Sequence, residues 1–355
     1  MKAIKSQTIG LAAIFGLCAA AASAQQIEVK LSYNQPESSA AWQEVMQPYA
    51  DKLETLSDDR LQVATYPGEV LHPVSDGFRA AATGITDVTS AWPVYQASSF
   101  ELFHGVQLPG ALPGSEIAAV RVMDEIYSKY LKDEYELLRV KLAFNAVTPS
   151  YDIMTVKPVN SLEDLEGLRI RAAGSTISEI VERLGATPVT MSITDAYAAF
   201  QQGVVDGIIL APADMVAYRM HEIGKYNYRV GIARVAIPHA INATFYQGLS
   251  SDLQTVFAEA GHDASLDYAR MYMDLTQSAL GDMKNEGVAV VLPSEEDVAR
   301  IDTLLAPMWD DFVETHGGEG STAANLVADL RAAKDRYSSM SDVEILALPP
   351  VNHMR

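Results

Sequence analysis

The chain reads as an α/β protein of two units, and three observations predict it. Apolar or alternating runs recur between stretches with three-to-four-residue apolar spacing, which is the pattern of strands and helices taken in turn. The length of 355 residues leaves room for two domains. One apolar repeat, Leu253 to Met283, continues for about 30 residues without proline. Ordinary globular helices stop at roughly 20 residues, so this one has to serve two bodies.

The elements follow in order. Ile27, Val29, Leu31 and Tyr33 alternate as a first strand that ends at Asn34-Gln35-Pro36. Trp42, Val45, Met46, Tyr49, Leu53 and Leu56 keep helical spacing. Leu61 to Tyr66 reads as a strand, Ser75 to Thr83 as a helix stopped by Gly84, and Thr86 to Ala91 as a third strand. This β-α-β-α-β order with short connections predicts a mostly parallel sheet covered by helices. After a Pro- and Gly-rich loop over Leu108 to Gly114, a helix runs from about Ser115 to Leu131, and Arg139 to Ala146 is again a strand. A second unit starts near Val147, with strands at Asp152 to Val156, Leu168 to Ala172, Thr187 to Met191 and Val205 to Leu210. Ser161 with Asp164 three residues on has the form of a helix cap. Arg234 to Phe245 is strand-like, the long helix follows, Val288 to Leu292 is a last strand, and the remainder is helical with a polar tail.

Composition narrows the class. Lys2 and Lys5, the apolar run Ile9 to Ala22 and the small residues Ala22-Ser23-Ala24 form an export signal with cleavage expected after Ala24. The only cysteine, Cys18, lies inside it, so thiol chemistry and disulfides are excluded from the mature chain. The formal charge is −20, and removing Lys2 and Lys5 takes it to −22. Such an acidic surface argues against nucleic acid and anionic membranes as partners. An anionic solute needs a local cation, because salt screens the global field beyond roughly 8–10 Å.

That cation has an obvious candidate. Arg171 closes the segment Gly167-Leu168-Arg169-Ile170-Arg171, at the end of an apolar strand where a charge is normally unwelcome. A second segment, Tyr197 to Gly207, reads YAAFQQGVVDG: it ends a helix at Gly203 and turns back into a buried strand. The two together, in this order and spacing, resemble the solute-binding proteins of tripartite ATP-independent periplasmic (TRAP) transporters, the dicarboxylate-binding protein family. The resemblance covers roughly Ile27 to Thr315. It implies a two-lobed α/β periplasmic solute-binding fold, with the long helix bracing both lobes and the ligand cleft between them. It further implies capture of a small organic anion, delivery to the large and small membrane subunits of a permease driven by an ion gradient, and a monomeric binding protein. The lobes expected are 25–147, 148–236, a return over 237–276, a continuation of the second lobe over 277–330, and a tail over 331–355, behind the signal at 1–24. A sensor that presents its ligand to a membrane receptor is the alternative, and an enzyme on the same scaffold a remote one.

By the resemblance Arg171 grips the ligand's acid group, a role suited to a planar guanidinium whose fixed donors meet two oxygens at once. Arg169 is read as solvated support and Asp206 as the residue that fixes its turn. Tyr151 stands where sialate-binding relatives carry a second arginine; it is read equally as a half-buried strand tyrosine and as a hydroxyl donor. Asn34 is balanced between ligand neighbour and turn residue before Pro36. Trp92 and Phe245 follow strands that should end at the cleft, and Asn242 lies in the same returning segment as Phe245. Ile208, Ile209 and Leu210 occupy a stretch where relatives offer amides or acids, which predicts an apolar wall carried by Ile209 and its neighbours, without a polar partner.

Enzyme chemistry finds no support. The chain has neither a G-x-S-x-G elbow nor H-E-x-x-H, and His316-Gly317-Gly318-Glu319-Gly320 lacks the Lys-Ser/Thr of a phosphate loop. No cofactor or metal is expected, and the chain is read as a binder of an organic acid with an apolar or aromatic body.

Overall fold

A computed structural model describes residues 26–96 and 98–351. The expected signal at 1–24 and residues 352–355 lie outside the described residues.

The first body is built from β1 (Ile27–Ser32), α1 (Gln47–Leu56), β2 (Leu61–Tyr66), α2 (Gly77–Thr83), β3 (Val88–Ser90), α3 (Glu116–Ile126), α4 (Lys132–Leu137) and β4 (Val140–Val147). Wide π turns at Trp42–Met46 and Tyr127–Leu131 lead into α1 and α4. The second body holds β5 (Asp152–Thr155), β6 (Arg169–Ala172), α5 (Gly174–Arg183), β7 (Thr187–Thr190), α6 (Ile193–Gln201), β8 (Gly207–Leu210), α7 (Pro212–Ala217) and β9 (Tyr226–Tyr228). The chain then returns through β10 (Ala236–Asn242) and α8 (Ala243–Gly248) into α9 (Ser251–Asn285). It finishes with β11 (Ala289–Val291), α10 (Glu295–Leu305), α11 (Pro307–Thr315), α12 (Thr322–Ser338) and α13 (Asp342–Leu346).

Two sheets result, ordered β2-β1-β3-β10-β4 and β11-β9-β5-β8-β6-β7. Each contains one strand antiparallel to both neighbours: β10 between β3 and β4, and β5 between β8 and β9. The mostly parallel sheet expected from sequence is thus mixed. The exceptions adjoin the crossings: β5 is the first strand after the chain enters the second body, and β10 the first after it comes back. Strand β9 and the helix α8 were not anticipated. A three-residue strand is too short for alternation to register, and the Asn242 side chain ends the expected strand by accepting from Phe245 N at 2.7 Å, which starts α8.

The two crossings run side by side. Thr148 N donates to Val235 O at 2.9 Å and Tyr151 N to Ala233 O at 2.8 Å. Buried Asp152 accepts from Arg229 Nε at 3.2 Å and from Gly231 N at 3.1 Å, and burial still pushes its pKa up to about 6. Helix α9 is the third link. Its 35 residues span roughly 52 Å at 1.5 Å per residue, enough to reach from one body to the other. It packs on α1 and β4 of the first body and on α7 and β11 of the second. Gly261 makes the close approach possible, since any Cβ there would meet the Ala143 carbonyl on β4. Helix α12 crosses the boundary expected at 330 and packs on α3, so the C-terminal part of 277–330 rests on the first body, where Tyr337 also reaches Arg121.

Candidate functional site

Arg171 is placed by the middle of the second sheet. Its strand β6 lies between β7 and β8, with Arg171 opposite Val189 on one side and Ile208 on the other. The side chain is only 1% exposed. Both Nε and Nη2 donate to the Met191 carbonyl, at 3.2 and 2.9 Å, which pins one edge of the guanidinium. The Tyr95 hydroxyl lies 3.5 Å from Nη2 and accepts from Ile193 N at 3.2 Å. Among the described residues Nη1 has no partner, and no carboxylate comes within 4.0 Å of Arg171. A buried cation without a counter-ion is costly, and the open end of the fork has the geometry to take two oxygens of an anion.

Arg169 shows the contrast. Two residues earlier on the same strand, it is exposed and ion-paired, donating through Nε and Nη2 to both oxygens of Asp206 at 2.9 and 3.1 Å and to Gly203 O at 2.8 Å. The ion pair lowers the Asp206 pKa, and the Asp206 carboxylate also accepts from Arg169 N at 3.0 Å, which fixes the turn into β8.

Arg171 faces a narrow cavity of about 20 Å³, room for roughly one water, where the two bodies meet. The second body supplies Ala173, Ile193 and Leu210 to it, and the first supplies Trp92, Val94 and Tyr95. The crossings add Tyr151 and Val235, α9 adds Tyr272, and Tyr33, Gln35, Asp214, Tyr218 and Ile237 complete the wall. The indole Nε1 of Trp92 is buried without a partner among the described residues. Burial raises the Tyr151 pKa, so its hydroxyl keeps its proton and can donate.

The structure therefore brings together Arg171, Tyr151 and Trp92 and leaves out four other candidates. Asn34 sits behind the wall, donating to the Tyr218 hydroxyl at 3.3 Å and accepting from Ser90 Oγ at 3.1 Å. Ile209 points into the core opposite Ile153, and its strand neighbour Leu210 lines the cavity instead, because successive residues of a strand face opposite sides. Asn242 spends its amide on Ala81 O at 2.6 Å and its oxygen on the α8 cap. Phe245 packs edge-on against Phe257, with ring centroids 6.1 Å apart, in the core of the first body.

The wall carried by Ile208, Ile209 and Leu210 is not without a polar neighbour: Leu210 lines the cavity, and four residues on Asp214 lines it too, at 7% exposure. Helix α7 begins at Pro212, and its first turn carries Asp214 back toward the site. The one hydrogen bond to its carboxylate among the described residues comes from the Tyr272 hydroxyl at 3.5 Å, and burial pushes its pKa up to about 7. The sequence signal was an acid in the first turn of a helix placed straight after a wholly apolar strand. Tyr218, at the far end of the same helix, and Tyr272, on α9, left no such signal.

Gly174 lets the two halves of the site meet. It has φ 71°, and a Cβ there would collide with the Val94 carbonyl in the turn that carries Tyr95. Gly174→Ala should cost closure about 1–3 kcal/mol by overpacking, read as weaker solute binding with unchanged far-ultraviolet circular dichroism. Equal affinity in the variant would show that this contact does not limit closure.

Among the described residues no group of three or more metal-binding side chains is placed to hold an ion, and no helix is long and apolar enough to cross a membrane. The C4-dicarboxylate-binding periplasmic protein of Rhodobacter capsulatus is 31% identical over 166 residues, 46% of this chain and 49% of that protein. The match thus spans about half the length of that relative. A TRAP solute-binding protein of Rhodoferax ferrireducens, solved with copurified benzoate, superposes with a TM-score of 0.82 at 20% identity, over 88% of this chain and 99% of that one. A sugar-acid-binding protein of Advenella mimigardefordensis, solved with galactonate, gives a TM-score of 0.79 at 19% identity, over 87% and 99%. These superpositions establish the two-lobed fold. The family model for bacterial extracellular solute-binding proteins, family 7, matches residues 31–316, and the chain belongs to that family, DctP.

Proposed function

We propose that the protein captures a small organic acid in the periplasm and hands it to the membrane subunits of a TRAP permease. The observation that carries this reading is Arg171, buried between two lobes with one end of its guanidinium unpaired among the described residues. The acid group of the solute takes that end, Tyr95 and Tyr151 add hydroxyl donors, and Trp92 with Leu210, Ile193 and Val94 covers its apolar body. The family and fold are those of binding proteins, which supports binding without turnover. In this reading residues 1–24 are the export signal.

The screen that tests it is a thermal shift against carboxylates and sulfonates. A ligand at about 100 times its Kd stabilises the native state by roughly 2.7 kcal/mol. No shift with any acid, together with turnover of one, would favour an enzyme instead.

Closure follows from the burial. A cavity of about 20 Å³ admits no acid, and Arg171 is 1% exposed, so the lobes have to part before the solute enters and to close around it less tightly than they do here. Closing is then favoured only by contacts the solute makes in the closed form. Solution scattering should give a larger radius of gyration without ligand than with it. Tight binding at constant lobe separation would refute the mechanism.

Ligand class follows from the wall. Benzoate and galactonate in relatives of the same fold show that the fold accommodates both an aromatic acid and a sugar acid. Here the lining is mostly apolar and aromatic. Each hydroxyl of a sugar acid left unpaired there costs roughly 1–3 kcal/mol, whereas an apolar body gains about 25 cal/mol per Å² buried. Aromatic or branched-chain monocarboxylates should outrank sugar acids and short dicarboxylates in competition; preferential binding of succinate or a sugar acid would reverse this assignment.

A further inference from the structure

We infer that the solute carries one hydrogen-bond donor, a hydroxyl or an amine, on the part of its body away from the carboxylate, and that Asp214 receives it. The inference rests on the reading of Arg171 as the carboxylate anchor and makes Asp214 the second pole of the same site.

Asp214 is as buried as the core and lines the cavity that Arg171 faces. A carboxyl group in that position offers about four acceptor sites, and buried polar groups in proteins are almost always paired. Asp214 has a single long bond from Tyr272, and among the described residues no cation lies within 4.0 Å of it.

The groups that face it come from every side of the cavity. Tyr33 follows β1, Tyr151 belongs to a crossing, Tyr218 follows α7, and Tyr268 and Tyr272 project from α9; the pKa of each is raised, burial first, with a contribution from Asp214. Most of their hydroxyls are engaged elsewhere. Those of Tyr33 and Tyr268 bond each other, and that of Tyr218 accepts from Asn34 and Gln35 at 3.3 and 3.2 Å. Among the described residues the one cation on the lining is Arg171, which makes no ion pair with Asp214. Protonated or ionised, the Asp214 carboxyl keeps an oxygen that accepts.

A solute with a bare apolar body would close over this acid and leave it without water or partner. A solute with one donor at that position removes the mismatch. Selectivity from a single buried hydrogen-bond partner amounts to roughly tenfold to a hundredfold.

The test uses two matched sets on the purified protein by calorimetry: phenylacetate with its 3-hydroxy and 3-amino derivatives, and butyrate with 4-hydroxybutyrate and 4-aminobutyrate. In at least one set the donor-bearing acid should bind about tenfold or more tightly than its parent. Asp214→Leu, which keeps the volume and removes the acceptor, should bring that ratio near one. Asp214→Asn keeps an acceptor oxygen without the charge; it should retain preference for the hydroxy acid and lose it for an ammonium. Parents that bind as tightly as their derivatives in both sets, or a ratio unchanged in Asp214→Leu, would overturn the inference. Arg171→Ala is the separate control: if it leaves the binding of the parent acids intact, the anchor assignment fails rather than the role of Asp214.

Discussion

Arg171→Ala should lower solute affinity by roughly 2–5 kcal/mol, the range for truncating one partner of a buried charge pair. The size follows from the surroundings. At 1% exposure the guanidinium cannot fall back on water, and one edge is already spent on the Met191 carbonyl. The remaining end fits two oxygens of a single acid group. Arg171→Lys should also bind poorly, because an ammonium is a point charge without the two-pronged geometry and cannot reach Met191 and the solute together. Calorimetry on both variants checks this. Affinity of Arg171→Ala within a few-fold of wild type would remove Arg171 from the site.

The second large effect is on stability. The Asp214 pKa stands at about 7 in the folded protein against 3.8 for the free side chain, because burial penalises the charged form. Between about pH 4 and pH 7 the unfolded chain has therefore released a proton that the folded chain still holds. Folded stability then falls as pH rises through that window, and the loss is complete above about pH 7. Holding that proton from about pH 4 to about pH 7 corresponds to something on the order of 4 kcal/mol, at 1.36 kcal/mol per pH unit. Asp214→Asn should accordingly match wild type near pH 4, exceed it at pH 8, and show a flatter profile in urea unfolding of the ligand-free protein. Asp152, also raised by burial, to about 6, contributes a slope of the same sign in both proteins, so the difference isolates Asp214. Parallel profiles for the two proteins would mean that Asp214 is not carried neutral into the fold.

Both effects involve charges that the sequence displays unequally. Arg171 was legible because it interrupts an apolar strand and closes a segment with a family resemblance. Asp214 follows an equally apolar strand, but whether an acid in a helix's first turn faces water or a cavity depends on what packs over that helix. Here α9 covers it with Tyr272. Ile209 and Leu210 show the same limit on a smaller scale: an unbroken apolar run has no alternation to say which residue faces the site. Asn242 and Phe245 were placed by their position after a strand that local capping cut short.

By itself the sequence determined most of the succession of strands and helices, the long helix shared by two bodies and the turn at Asp206. Each is written in local periodicity, capping and turn chemistry, which act over a few residues. Only the tertiary structure decided which strands run antiparallel and which side chains share one wall. Tyr33, Tyr95, Tyr151, Asp214 with Tyr218, and Tyr272 come from five separate stretches of chain. Their meeting depends on how two sheets and one helix pack across the crossings, a long-range outcome that no local pattern encodes.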